Sequence, residues 1–137
     1  MNDEKVLEKV VCYIDEHIEE DLSLDKIAGA LHYSKFYMAR TFAEQAGCTI
    51  YKYIQGRRLT MAAMKLVETQ KPIIDIAYEA HYNSQQAFTL AFSRLYQCTP
   101  QAYRKKGVFY PKQTKITLCA QQYCSGAAYR MGGGMAA

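Results

Sequence analysis

The 137-residue sequence has no stretch approaching the ~18 consecutive apolar residues of a membrane span. Its opening, Met1-Asn2-Asp3-Glu4-Lys5, lacks the basic start and apolar run of a secretory leader, so the expectation is a cytoplasmic protein with no membrane partner. Phosphate-binding glycine loops, a nucleophile elbow and a His-Glu-x-x-His pattern are all missing, and the carboxylates gather on a solvated first helix; an enzyme is not expected. His17, His32 and His81 have no ligand spacing, and Cys119 and Cys124 lack a second Cys or His pair, so neither a metal nor any other cofactor is expected. The cysteines are odd in number, and Cys12, Cys48 and Cys98 fall within apolar helical patterns where a thiol behaves as a small hydrophobe, which argues against a disulfide framework.

Acid is also missing from the chain beyond Glu79. Residues 1–25 hold nine acids against Lys5 and Lys9, a net −7, whereas no acid follows Glu79 and Arg94, Arg104, Lys105, Lys106, Lys112, Lys115 and Arg130 supply +7. A polyanionic partner facing the basic part suits that asymmetry.

What is present is helical periodicity. Val6, Val10, Ile14 and Ile18 predict an amphipathic helix near residues 4–19. Ser23 is a candidate N-cap for a helix carrying Leu24, Ile27, Ala28 and Leu31, and Ser34 for one carrying Met38, Phe42 and Ala46. Two short helices joined by so tight a turn are the helix-turn-helix signature. Thr49 precedes a long helix from Ile50 to about Glu68, some 28 Å at ~1.5 Å per residue. Pro72 suits the first turn of the next helix, Ser84 caps another with Phe88, Ala91, Phe92 and Leu95 inward, and Thr99-Pro100 opens a last one through Tyr103.

This pattern is duplicated. Ile27-Ala28 and His32-Tyr33 recur as Ile76-Ala77 and His81-Tyr82 at an offset of 49; Met38, Phe42, Thr49 and Tyr53 recur as Phe88, Phe92, Thr99 and Tyr103 at an offset of 50. One extra residue in the second turn explains the slip. Matched core positions, turns and caps imply two equivalent units. The predicted fold is all-α: residues 5–48 form the first homeodomain-like helix-turn-helix unit, 49–68 a linker helix and 69–106 the second unit. Residues 107–137, with a possible strand at Lys115–Leu118, are expected to be a tail or the start of a truncated effector domain. Tyr13, Tyr53, Tyr78 and Tyr103 are expected at inward or interfacial positions.

In such units the second helix enters the major groove and presents its first two turns to base edges. The residues there are Lys35, Phe36, Tyr37, Ala39 and Arg40 in the first unit and Gln85, Gln86, Ala87, Thr89 and Leu90 in the second. Arg40 can fork onto guanine O6 and N7, Phe36 can press on a thymine methyl, and glutamine can bond adenine twice. Two readers on a spacer of about 28 Å approach the roughly 34 Å of one duplex turn, so one chain is expected to bind double-stranded DNA as a monomer over successive major grooves.

The segments Ser23–Ala28, Tyr33–Phe42, Tyr53–Leu59, Pro72–Ala77, Ser84–Phe92 and Thr99–Arg104 resemble the AraC/XylS family of transcription regulators. Ser84-Gln85-Gln86 is most similar to its MarA, SoxS and Rob branch, whose members bind as monomers and activate transcription. The resemblance implies an activator with RNA polymerase as a partner. It implies base contacts at Phe36, Arg40, Gln85 and Gln86, and backbone contacts at Ser34, Lys35, Arg57, Ser84 and Tyr103, extended to Tyr37, Thr89 and Arg104. Leu90 stands where the family has arginine, so the second unit is expected to be the weaker and less selective reader; Ala39 stands where the branch has glutamine. His32 and His81 stand where glycine is common, which predicts altered turns, because histidine takes positive φ less readily. The rival readings are the DNA-binding half of a larger ligand-sensing regulator and a helical adaptor that binds protein.

Overall fold

A computed structural model describes residues 3–113, and among them every regular element is an α-helix. In chain order these are α1 (Asp3–Glu16), α2 (Leu24–Leu31), α3 (Lys35–Ala46), α4 (Ile50–Glu68), α5 (Ile73–Glu79), α6 (Gln85–Tyr96) and α7 (Pro100–Lys106). The all-α expectation holds. The possible strand at Lys115–Leu118 lies outside the described residues.

Small polar residues start the helices as their local chemistry predicts. The hydroxyls of Ser23, Ser34, Thr49, Ser84 and Thr99 accept from the backbone N–H three residues on, at 3.1–3.2 Å, satisfying donors that a helix N-terminus leaves orphaned. Pro72 instead caps α5 through its carbonyl, which accepts from the N–H groups of Asp75 and Ile76. α1 stops at Glu16, short of the expected 19, because the chain tightens into a turn: the His17 N–H is shared between the Tyr13 and Ile14 carbonyls, and Glu20 donates to His17. Ile18 still reaches the core from that turn.

The contacts divide the chain between Ile54 and Gln55, inside α4. In the first unit α1 packs on α2 and α3, burying Val6, Val10, Ile14, Ile27, Met38 and Phe42. The second unit buries Leu59, Ala62, Ala63, Leu66, Ile76, Ala77, Phe88, Phe92 and Tyr103. α4 is therefore more than a spacer: Ile50 and Tyr53 on its first turn are core to one unit, and its later apolar positions are core to the other.

Equivalence between the units extends to single interactions. Tyr33 N–H donates to Ala28 O at 3.0 Å and Tyr82 N–H to Ala77 O at 3.0 Å, fixing the two turns alike. The Phe42 and Tyr53 rings lie 5.8 Å apart, and their counterparts Phe92 and Tyr103 5.4 Å apart. The expected change in turn geometry is not seen, for His32 and His81 themselves take φ of 62° and 69°, in the left-handed region that glycine would occupy. The strain falls on the histidines while the turn keeps its course.

The chain beyond Lys106 does not leave the second unit at once. Tyr110 N–H donates to the Tyr103 hydroxyl (2.7 Å), the Tyr96 hydroxyl donates to Tyr110 O (2.8 Å), and Gln113 N–H donates to Thr60 Oγ1 (2.9 Å). Phe109 packs against the same core. The segment 108–113 is thus a strap over α4, α6 and α7, so the packed second unit runs past the expected boundary at 106.

Candidate nucleic-acid interface

Helices α3 and α6 each bury one stripe and show another. In α3, Met38, Thr41 and Phe42 face inward, which turns Phe36 (79% exposed) and Arg40 outward, with Lys35, Tyr37 and Ala39 half-buried beside them. In α6, Phe88 and Phe92 face inward, which exposes Gln85, Gln86, Ala87 and Leu90 and leaves Thr89 half-buried. The period of 3.6 residues does this without further instruction. Each unit so brings its sequence-expected base readers onto one outward stripe at the N-terminal half of a helix.

Surrounding groups define what those stripes can do. Lys35 pairs with Asp25 at 3.1 Å and stands 5.7 Å from the Phe36 ring centroid, so the two side chains support one another at the head of α3. Ser34 and Ser84 are the N-caps, and their hydroxyls accept from the Tyr37 and Ala87 N–H groups, a bond that does not use the hydroxyl proton, which could therefore be donated to an anion at the helix N-terminus. Between α5 and α6 lies an open concavity of about 760 Å³, lined by Ile74, Tyr78, Gln85, Gln86, Thr89 and Leu90 among others.

Three of the expected backbone contacts serve the fold. Tyr103 is 4% exposed and its hydroxyl accepts from Tyr110 N–H; burial pushes it and the Tyr96 hydroxyl above the usual phenol range, so both stay protonated. Arg104 donates from Nε to Leu66 O (2.9 Å) and from Nη2 to Lys71 O (2.7 Å), holding the last turn of α4 and the segment before α5. Arg57 donates from Nη1 to Gln113 O at 2.8 Å. Tyr78, expected inward or interfacial, is 54% exposed: it follows Ile74 by four residues on the outer face of α5, opposite the buried Ile76-Ala77 pair. That i, i+4 spacing was the signal in the sequence that could have placed it there.

Two equivalent helix-turn-helix units in one chain, each with an outward stripe on its second helix, define a double helix-turn-helix protein. Residues 27–106 match the helix-turn-helix domain family. The regulatory protein SoxS of Escherichia coli (strain K12) is 40% identical over 106 residues, which cover 77% of this chain and 99% of that protein. The transcriptional regulator Rob of Salmonella typhimurium is 36% identical over 105 residues, covering 77% of this chain and 36% of its own. An AraC-type DNA-binding domain-containing transcriptional regulator from Chromobacterium violaceum has the same fold, with a TM-score of 0.72 at 28% identity over 76% of this chain and 93% of that one.

The chain belongs to the AraC-type helix-turn-helix family, in the branch that includes SoxS and Rob. It is a DNA-binding transcription regulator and not an enzyme, and the adaptor reading falls with that membership.

Proposed function

We propose that one chain binds duplex DNA as a monomer, with α3 in one major groove and α6 in the next, and that binding activates transcription in the cytoplasm through contact with RNA polymerase. The observation that carries the reading is the duplication: a single chain holds two helix-turn-helix units whose second helices have equivalent serine caps and whose turns are alike. Activation fits the likeness to the regulatory protein SoxS; the polymerase partner is proposed from the family resemblance alone.

Base contacts come from Phe36 and Arg40 in the first unit and from Gln85 and Gln86 in the second. Ser34, Lys35, Tyr37, Ser84 and Thr89 face the phosphates; Tyr103, Arg104 and Arg57 are left out because their polar atoms hold α4, α7 and the 108–113 strap together. The phosphate contacts make affinity depend on salt, since each neutralised phosphate contributes about −0.9 to the slope of log K against log salt. Titrating a duplex site at increasing salt should give one chain per site and a steep negative slope, with Lys35→Ala lowering the slope by about one unit on every sequence. Salt-independent binding, or two chains on a single site, would contradict the reading.

A further inference from the structure

The two units share the placing of their core positions and the serine caps of α3 and α6, but differ in the chemistry of one surface patch. Under the offsets that align the cores, Asp25, Gly29 and Arg40 of the first unit correspond to Ile74, Tyr78 and Leu90 of the second. The first unit carries there an ion pair between Asp25 and Lys35 and an exposed guanidinium. The second carries three large apolar side chains, 41%, 54% and 55% exposed, on the concave face that Gln85, Gln86 and Thr89 also line.

Leu90 contributes nothing to the core, which Phe88 and Phe92 fill from the opposite side of α6. It lies one helical turn from Gln86 on the outward stripe, at the position where the first unit presents Arg40. A leucine there can neither bond a base nor neutralise a phosphate. What it can do is shed water against another apolar group, and on the major-groove edge of DNA that group is the thymine C5-methyl.

We propose that Leu90 reads a thymine methyl, which makes the second unit a selector of A·T pairs: a glutamine amide of Gln85 or Gln86 takes adenine N6 and N7, and Leu90 packs on the methyl of a neighbouring thymine. The first unit, with Arg40, selects guanine instead. The proposal rests on the assignment of α6 as a major-groove reader and gives that helix its substrate class. The second unit then discriminates by shape where the first discriminates by charge, so its weaker grip on the phosphates does not make it blind to sequence.

The test starts from sites selected by the full chain from random duplex DNA, in which every thymine is replaced singly by uracil, a change that removes the methyl group alone. Burial of one methyl corresponds to about a three- to fivefold effect on affinity. Wild type should weaken by that factor at one or two thymines, and the Leu90→Ala variant, altered at an exposed position, should lose the sensitivity at those positions while still binding. At the same positions, 5-methylcytosine paired with guanine should bind better than cytosine paired with guanine. Leu90→Arg should also lose the sensitivity, and should steepen the salt slope by up to about one unit.

Uracil effects of equal size in wild type and Leu90→Ala, or no uracil effect at any position, overturn the methyl reading. If Gln85→Ala and Gln86→Ala still weaken selected sites more than random DNA in that case, α6 remains a reader and Leu90 alone is misassigned. If both glutamine variants leave every site unaffected, the assignment of α6 itself fails, and the proposal with it.

Discussion

Arg40→Ala should weaken binding to a selected site by about 5- to 150-fold, which corresponds to the ~1–3 kcal/mol of discrimination that a bidentate arginine–guanine contact provides. Arg40 is the exposed cation on the outward stripe of α3, one turn from Phe36, and its opposite side is occupied by the buried Met38 and Phe42. The side chain therefore projects away from the unit, and its removal leaves no cavity. Helix α3 should persist in the variant, since its Ser34 cap and core face are untouched and arginine and alanine are both good helix formers. Binding to random DNA should fall far less, because a phosphate contact would be lost equally on every sequence. Competition of labelled selected DNA against unlabelled random DNA separates the two. Equal losses on both would make Arg40 a backbone contact.

Arg104→Ala should do the opposite. Its two hydrogen bonds run to backbone carbonyls 38 and 33 residues away, and one of these, Leu66 O, belongs to the last turn of α4, where carbonyls have no helical partner. Hydrogen bonds from a charged donor contribute about 1.5–3 kcal/mol each, reduced here because the Lys71 contact is exposed and water can replace the donor. The net expected loss is about 2–4 kcal/mol of stability, a large share of the roughly 5–15 kcal/mol that holds a typical domain. Arg104→Lys should recover only part, since one ammonium cannot span both carbonyls with the planar fork of guanidinium. Urea denaturation measures the loss, and the salt slope of DNA binding under fully folded conditions should stay at its wild-type value. A slope lowered by about one unit with unchanged stability would return Arg104 to the phosphate contacts.

The contrast between these arginines shows what the sequence made legible and what it did not. The caps at Ser23, Ser34, Thr49, Ser84 and Thr99 were readable because a cap bonds to a backbone three residues on, inside the window that periodicity covers. The reading stripes of α3 and α6 follow from the same period, once Met38 and Phe42, or Phe88 and Phe92, are assigned inward. Arg104 and Tyr103 sit in equally polar, helical surroundings, yet their partners are Leu66, Lys71 and Tyr110, which only the folded chain brings within reach. The strap is hidden for the same reason: the Gln113 bond to Thr60 spans 53 residues, and nothing in the local pattern of 107–113 announces it.

The histidine turns illustrate a subtler failure. Positive φ at His32 and His81 is disfavoured locally, but the Tyr33 and Tyr82 hydrogen bonds to Ala28 and Ala77 hold both turns in the same form. Backbone hydrogen bonds that close over the helix ends, five residues apart, override the side chain's own preference. Duplication was the stronger guide, because a turn that recurs with the same residue and the same flanking core must satisfy the same geometry twice.

The most direct measurement is a hydroxyl-radical footprint of the full chain on a selected duplex, combined with the stoichiometry of the complex. The account predicts two protected patches on one face of the DNA, about one helical turn or ~34 Å apart, from a single bound chain. Arg40→Ala should thin the protection of one patch, and Gln86→Ala that of the other. A single patch from one groove, or protection that appears only when two chains occupy the site, would contradict it.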